Sequence, residues 1–141
     1  MNPKITALLV MARESRLPLF EQLEGCGIEV LPVSTCQEAR RALASSLAVQ
    51  VVIVDVALPD GSWCQVLEDV AQWPGHAEVI VRMQVADRSL WREIVACGAS
   101  DLLLEPCQPE EMKRIIEAAV ARSYMRSLRP TRPALVNAKV A

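Results

Sequence analysis

Residues 51–59, VVIVDVALP, constrain the fold more than any other stretch of the chain. Val51, Val52, Ile53 and Val54 are consecutive β-branched residues with no polar residue among them, so the run has no wet face. It reads as a strand covered on both sides, the habit of a central strand in a parallel sheet. Its only charge is Asp55, placed at the carboxyl end. Helices cover both faces of an open α/β sheet, leaving the rim at the strand ends as the place for chemistry. Asp55 is therefore the first candidate functional residue.

The rest of the chain alternates in the way such a strand requires. Ile5 to Val10 is a short strand candidate followed by MARES, read as a loop; Leu17, Leu19, Phe20 and Leu23 then recur at helical spacing until Gly25 and Gly27. Pro18 is tolerable there only near the first helical turn. Ile28 to Val33 reads as a second strand, and Thr35-Cys36-Gln37-Glu38 is a capping-box pattern that opens a second helix. After the central strand, Pro59-Asp60-Gly61-Ser62 has turn chemistry, and Ser62 caps a helix carrying Val66, Leu67 and Val70. Ala77 to Val81 makes a fourth strand. Asp87 caps a helix closed at Gly98, Asp101 to Glu105 is a fifth strand, and Pro109 opens a last helix through Met112, Ile115, Ile116 and Ala119. Five strand-helix units with short connections predict an α/β, doubly wound, five-stranded parallel sheet of order 2-1-3-4-5 with five helices, the flavodoxin-like arrangement.

At 141 residues the chain suits one domain, and a hydrophobic fraction of 52% fills one core. The net charge of −2 conceals an asymmetry: residues 122–141 carry five basic and no acidic side chains, leaving an acidic body. That argues against nucleic-acid binding by the body. The expected division is a domain over residues 1–125 and a basic, proline-containing tail over 126–141, mobile in isolation, with Arg126, Arg129, Arg132 and Lys139. Five widely spaced cysteines without a C-x-x-C pair favour neither a disulfide framework nor a zinc site. No stretch is long and apolar enough for a membrane span, and no signal-peptide pattern opens the chain, so the expected location is the cytoplasm. His76 reads as a loop residue, and Trp63 and Trp91 as helix residues that either pack on the body, the preferred reading, or mark a partner surface.

The VVIVDVALPDGSW stretch, ACGASDLLLEP and the following QPEEM together resemble the CheY-like receiver domains of bacterial two-component response regulators, over residues 5 to about 121. The resemblance implies that Asp55 stands at the position that accepts a phosphoryl group from a histidine kinase. It also implies four departures. The acidic pair that holds magnesium after the first strand is replaced by Met11 and Ala12, or by Ala12 and Arg13 if the alignment shifts by one; a hydroxyl residue ending the fourth strand by Met83; a lysine after the fifth strand by Glu105; and the aromatic switch residue by Leu102.

Phosphoryl transfer to a carboxylate needs cations to neutralise the transferring oxygens. Glu105 would instead repel each charge of an aspartyl phosphate by roughly 3 kcal/mol at ~5 Å and an effective dielectric of ~20. Arg13 reads first as a solvated loop residue, with the alternative that it offsets part of this by reaching across the rim, and Glu14 could supply one metal ligand. The preferred expectation is a degenerate receiver in phosphorelay signalling, not an enzyme, with no cofactor and no magnesium. It would act by protein contact on a signalling partner, either a histidine kinase or an output protein, or by forming a homodimer through the helix-four to helix-five face. The alternative is a working receiver phosphorylated on Asp55 through an unusual site. A flavin- or nucleotide-binding enzyme on the same fold ranks third, because MARES has no phosphate-cradling glycines.

Overall fold

In a computed structural model, which describes residues 4–46, 48–84 and 86–128, the expected alternation is present throughout. The elements are β1 (Thr6–Val10), α1 (Arg13–Gly25), β2 (Glu29–Val33), α2 (Cys36–Ser45), β3 (Val51–Asp55), α3 (Trp63–Gln72), β4 (Glu78–Met83), α4 (Arg88–Ala96), β5 (Asp101–Leu104) and α5 (Pro109–Ser127). The five strands form one parallel sheet in the order β2-β1-β3-β4-β5. A two-residue hairpin, Ala57–Leu58 against Gly61–Ser62, joins β3 to α3.

Strand pleating divides the core in two, because successive side chains point to opposite faces. Val51 and Ile53 share one apolar cluster with Leu19 and Leu23 of α1 and Met112 and Ile116 of α5. Val52 and Val54 belong to the other, with Ala39 and Leu43 of α2, Val66 and Val70 of α3, and Ile94 of α4. All four central residues are fully buried, as the unbroken β-branched run requires.

Helix starts follow the capping residues. The Thr35 hydroxyl accepts from the Glu38 N–H at 3.0 Å, while the Glu38 carboxylate reaches back to the N–H of Ser34 at 2.7 Å, one residue before the cap. Ser62 and Asp87 accept from Cys64 and Leu90. Gly98 lies in the left-handed region, φ 101°, where a side chain would be strained.

Three local expectations change. The MARES stretch is not all loop, since α1 begins at Arg13. Pro18 consequently sits beyond the first turn; the carbonyl it leaves without an intrahelical donor belongs to exposed Glu14, within reach of water. And α5 runs through Ser127 rather than ending near Met125, because Arg126 of its last turn pairs with the Glu78 carboxylate at 2.8 Å. The remainder of the expected tail, residues 129–141, lies outside the described residues.

Candidate functional site

The carboxyl rim of the sheet gathers three charged side chains from three adjacent strands. In the β3/β4 register Asp55 lies beside Arg82, and in the β4/β5 register Arg82 lies beside Leu103. Laterally paired residues share a face, and so do residues two apart, so Asp55, Arg82 and Glu105 all fall on the α1/α5 face of the rim. The backbone N–H of Glu105 extends the ladder by one bond, donating to Met83 O at 2.9 Å, which fixes where its side chain leaves the sheet.

Arg82 is the centre of this group. Its Nη1 donates to both carboxylate oxygens of Asp55, at 3.2 Å each, and its Nε donates to Glu105 Oε1 at 2.6 Å. The Arg82 side chain is only 6% exposed, against 14% for Asp55 and 16% for Glu105. Asp55 Oδ1 additionally accepts from the Val56 N–H at 2.9 Å. The Asp55 carboxylate is thus engaged by a buried guanidinium, and the same guanidinium is shared with the Glu105 carboxylate. Charge-assisted bonds of this kind are about twice as strong as neutral ones, and arginine's planar array of donors suits simultaneous grip on two carboxylates.

The geometry places each of the other candidate residues. Arg13 does not clamp Asp55: it is exposed in the first turn of α1, beside Arg16, Leu17 and Pro32. Glu105 is not an unpaired acid directed at Asp55, since Arg82 stands between their charges. Met83, one residue from Arg82, projects to the opposite face and packs in the cluster with Val54, Val81 and Ile94. Met11 is fully buried among residues of α1 and α5, including Leu19 and Met112, and Ala12 is the half-buried residue before α1. Leu102 is half-buried against the α2/α3/α4 core.

The sequence reading missed Arg82 altogether. Its fourth strand stopped at Val81, although the signal was present in EVIVRM, an apolar run bounded by two charges four residues apart and therefore on one face. Extending the strand by one residue and pairing it with β3 sets Arg82 beside Asp55.

Divalent cations such as magnesium take oxygen donors, and the receiver resemblance would place them on the loop after β1. Here that place offers a buried thioether and a methyl group, and Asp55 already faces a cation. The donor set does not fit magnesium. Among the described residues, no group of three or more His, Cys, Asp or Glu side chains is arranged to hold a metal ion.

The turn after β3 is fixed by its own acid. Asp60 accepts from the N–H groups of Cys36 and Gln37 at 2.7 and 3.1 Å, tying the hairpin to the start of α2. The Cys36 N–H, followed by that of Gln37, holds the Asp60 carboxyl below its ordinary value. Burial, with Asp60 adding to it, pushes the Cys36 thiol up. Beside α4 a groove of about 490 Å³ is lined by Met83, Arg88, Trp91, Leu102 and Leu104. Trp63 is buried as expected, but Trp91 is 52% exposed and stands at this groove instead of packing on the body. Val95 and Leu104 are exposed nearby. His76 is an exposed loop residue whose carbonyl accepts from the Ser123 hydroxyl.

No family model matches the chain. It is 28% identical over 120 residues to the KDP operon transcriptional regulatory protein KdpE of Escherichia coli K12, a match covering 84% of this chain and 52% of KdpE. The chain therefore spans about half the length of that relative. Among solved structures, a response regulator receiver domain protein from Clostridium thermocellum superposes with a TM-score of 0.77 at 23% identity, covering 86% of this chain and 98% of that one. The receiver domain of the sensor histidine kinase PA1611 from Pseudomonas aeruginosa PAO1, solved with a magnesium ion in its active-site cleft, superposes with a TM-score of 0.74 at 18% identity, over 84% of this chain and 99% of that one.

Proposed function

We propose, on the premise that the chain is a CheY-like receiver domain, that it serves two-component signalling as a degenerate receiver, working by contact with a partner protein and not by phosphorylation of Asp55. The observation that carries this reading is the Asp55–Arg82–Glu105 ion triad. A carboxylate that attacks a phosphoryl group needs a free lone pair and a cation aligned on the incoming oxygens. Asp55 has its two oxygens turned to Arg82, and that cation is committed between two carboxylates. Attack would require breaking a largely buried, charge-assisted contact without a metal to replace it.

The same ion pair holds Asp55 in one arrangement at the end of β3, so the domain presents one surface to its partner. An exposed apolar stretch suited to such contact runs along α4 and β5, where Trp91, Val95 and Leu104 surround the groove. Tryptophan is among the residues that most often dominate protein interfaces. No catalytic activity of its own belongs to this reading, and the surface is open to an output protein or to a second copy of the chain.

The test is intact-mass measurement of the purified chain after incubation with acetyl phosphate and magnesium. The expected spectrum shows the unmodified mass alone. The competing reading, a working receiver, draws on the same Arg82 as a phosphate-holding cation; a mass gain of one phosphoryl group in wild type that disappears in Asp55→Asn would establish it instead.

A further inference from the structure

The exposed stretch on α4 and β5 is not only apolar. Arg88, Trp91, Arg92 and Val95 recur at i, i+3, i+4 and i+7, so they share one face of α4, and all four are exposed. Arg88 and Trp91 line both the groove of about 490 Å³ toward β5 and an adjoining one of about 500 Å³ that continues to Val95 and Ala96. We propose that this face docks an acidic amphipathic helix of a partner protein, with its apolar side chains in the two grooves and its carboxylates on Arg88 and Arg92. The inference rests on the reading of the domain as one that works by partner contact, and it names the chemistry of that partner.

Three observations select this occupant. The first is charge. The arginines that hold acids within the domain are Arg40, Arg82, Arg122 and Arg126; among the described residues, Arg88 and Arg92 belong to no ion pair. Asp87 and Asp101 line the first groove but are turned to backbone, accepting from the Leu90 N–H at 3.1 Å and the Leu102 N–H at 2.8 Å. The second groove has both arginines and no acid in its lining. Glu93, the one acid within α4, lies toward Cys64 of α3 and lines neither groove. An incoming carboxylate therefore finds two guanidiniums that nothing in the described structure neutralises by contact.

The second observation is shape. β5 is an edge strand, but the N–H of Leu102 is already taken by Asp101, which leaves one fewer donor for an added strand. What stays open is the furrow between α4 and that edge, with Trp91, 52% exposed, standing over it. A furrow of this kind takes the apolar face of a helix, and tryptophan is a frequent anchor in such contacts. The third observation excludes the competing occupants. A two-fold pairing of this face with a second copy would gather four guanidiniums on one small patch, with no uncommitted acid in either groove to meet them. A nucleic acid would meet two cations here and an acidic body everywhere else.

The experiment uses the full chain and two capped, helix-forming peptides with leucines at i, i+3, i+4 and i+7, one flanked by glutamates and the other by lysines in their place. Binding is read from the Trp91 indole and α4 amide resonances at low ionic strength. The glutamate peptide is expected to bind saturably, with shifts centred on Trp91, and at least about tenfold more tightly than the lysine peptide, the margin shrinking as salt is added. Arg88→Glu/Arg92→Glu should reverse the order of the two peptides, and Trp91→Ala should weaken the glutamate peptide by about tenfold or more. All three positions are exposed, so the variants should unfold thermally as wild type does. If the double reversal does not fold, Arg88→Gln/Arg92→Gln takes its place, and loss of the preference is then the expected result. The inference is overturned if wild type binds neither peptide, if the two bind alike, or if the charge-altered variant keeps the wild-type order. Self-association of wild type that Trp91→Ala abolishes also overturns it, assigning the face to a second copy. So does a duplex oligonucleotide that shifts the same resonances more tightly than the glutamate peptide. A chain that binds neither peptide yet stays unlabelled by acetyl phosphate loses the acidic partner and remains a degenerate receiver, whereas labelling at Asp55 sinks that reading whatever the peptides do.

Discussion

Arg82→Met removes the guanidinium while keeping most of the apolar stem that crosses the end of β4. The side chain is 6% exposed and its two partners 14% and 16%, so the contact lies mostly out of water but not wholly so. Taking one partner from a fully buried ion pair costs about 3–5 kcal/mol, because the other charge is left uncompensated. Here two carboxylates lose their cation, but each retains a route to solvent, which lowers the expected loss to about 2–3 kcal/mol. Against a total stability of about 5–15 kcal/mol for a domain, that shift is easily read.

The decisive comparison is with the triple variant Arg82→Met/Asp55→Asn/Glu105→Gln, which carries no uncompensated charge and should return to within about 1 kcal/mol of wild type. Urea unfolding followed by tryptophan fluorescence gives both values, the chain having three tryptophans. A loss under about 0.5 kcal/mol in the single variant, the range of ordinary surface substitutions, would refute the triad as a buried structural unit. So would a triple variant less stable than the single one, since the coupling would then have the wrong sign.

Two further outcomes follow from the turn after β3. The depressed Asp60 carboxyl stabilises the fold above its ordinary value of about 3.8 and loses that contribution as pH falls through the lower folded value; the stability gap between wild type and Asp60→Ala, measured by urea midpoint, should therefore narrow on acidification from neutral pH toward pH 3 or below. A gap that widens on acidification contradicts this assignment. Gly61→Ala would set a methyl 2.8 Å from the Cys36 sulfur and should cost about 1–3 kcal/mol by overpacking, much of it recovered in Gly61→Ala/Cys36→Ala, with thermal unfolding as the check.

The fold was legible because its signals are local or strongly periodic. The four β-branched residues before Asp55 made the central strand unmistakable, and Thr35, Ser62 and Asp87 marked helix starts through bonds made within three residues. Asp55 was legible as a location for the same reason, being a lone charge at a strand end. Its partner was not, because Arg82 is 27 residues away and becomes a neighbour only through strand register. Ending β4 two residues early was enough to hide it, since Arg82 and Met83 then fall outside the strand whose alternation sends them to opposite faces. Met83 ends β4 and faces the other core, whereas the charge that decides the site stands one residue earlier. Trp91 was misjudged for a different reason. Helical spacing groups it with Ile94 and Val95, but only Ile94 of the three is buried, so the stripe was narrower than the apolar residues suggested.

The most direct measurement is the response of the Asp55, Val56 and Arg82 amide resonances of wild type to beryllofluoride and magnesium, which together imitate a phosphoryl group on a receiver aspartate. If Arg82 holds the carboxylate, these resonances stay where they are. Saturable shifts centred on Asp55 and propagating to Leu102 would show an open, working site and contradict the degenerate reading.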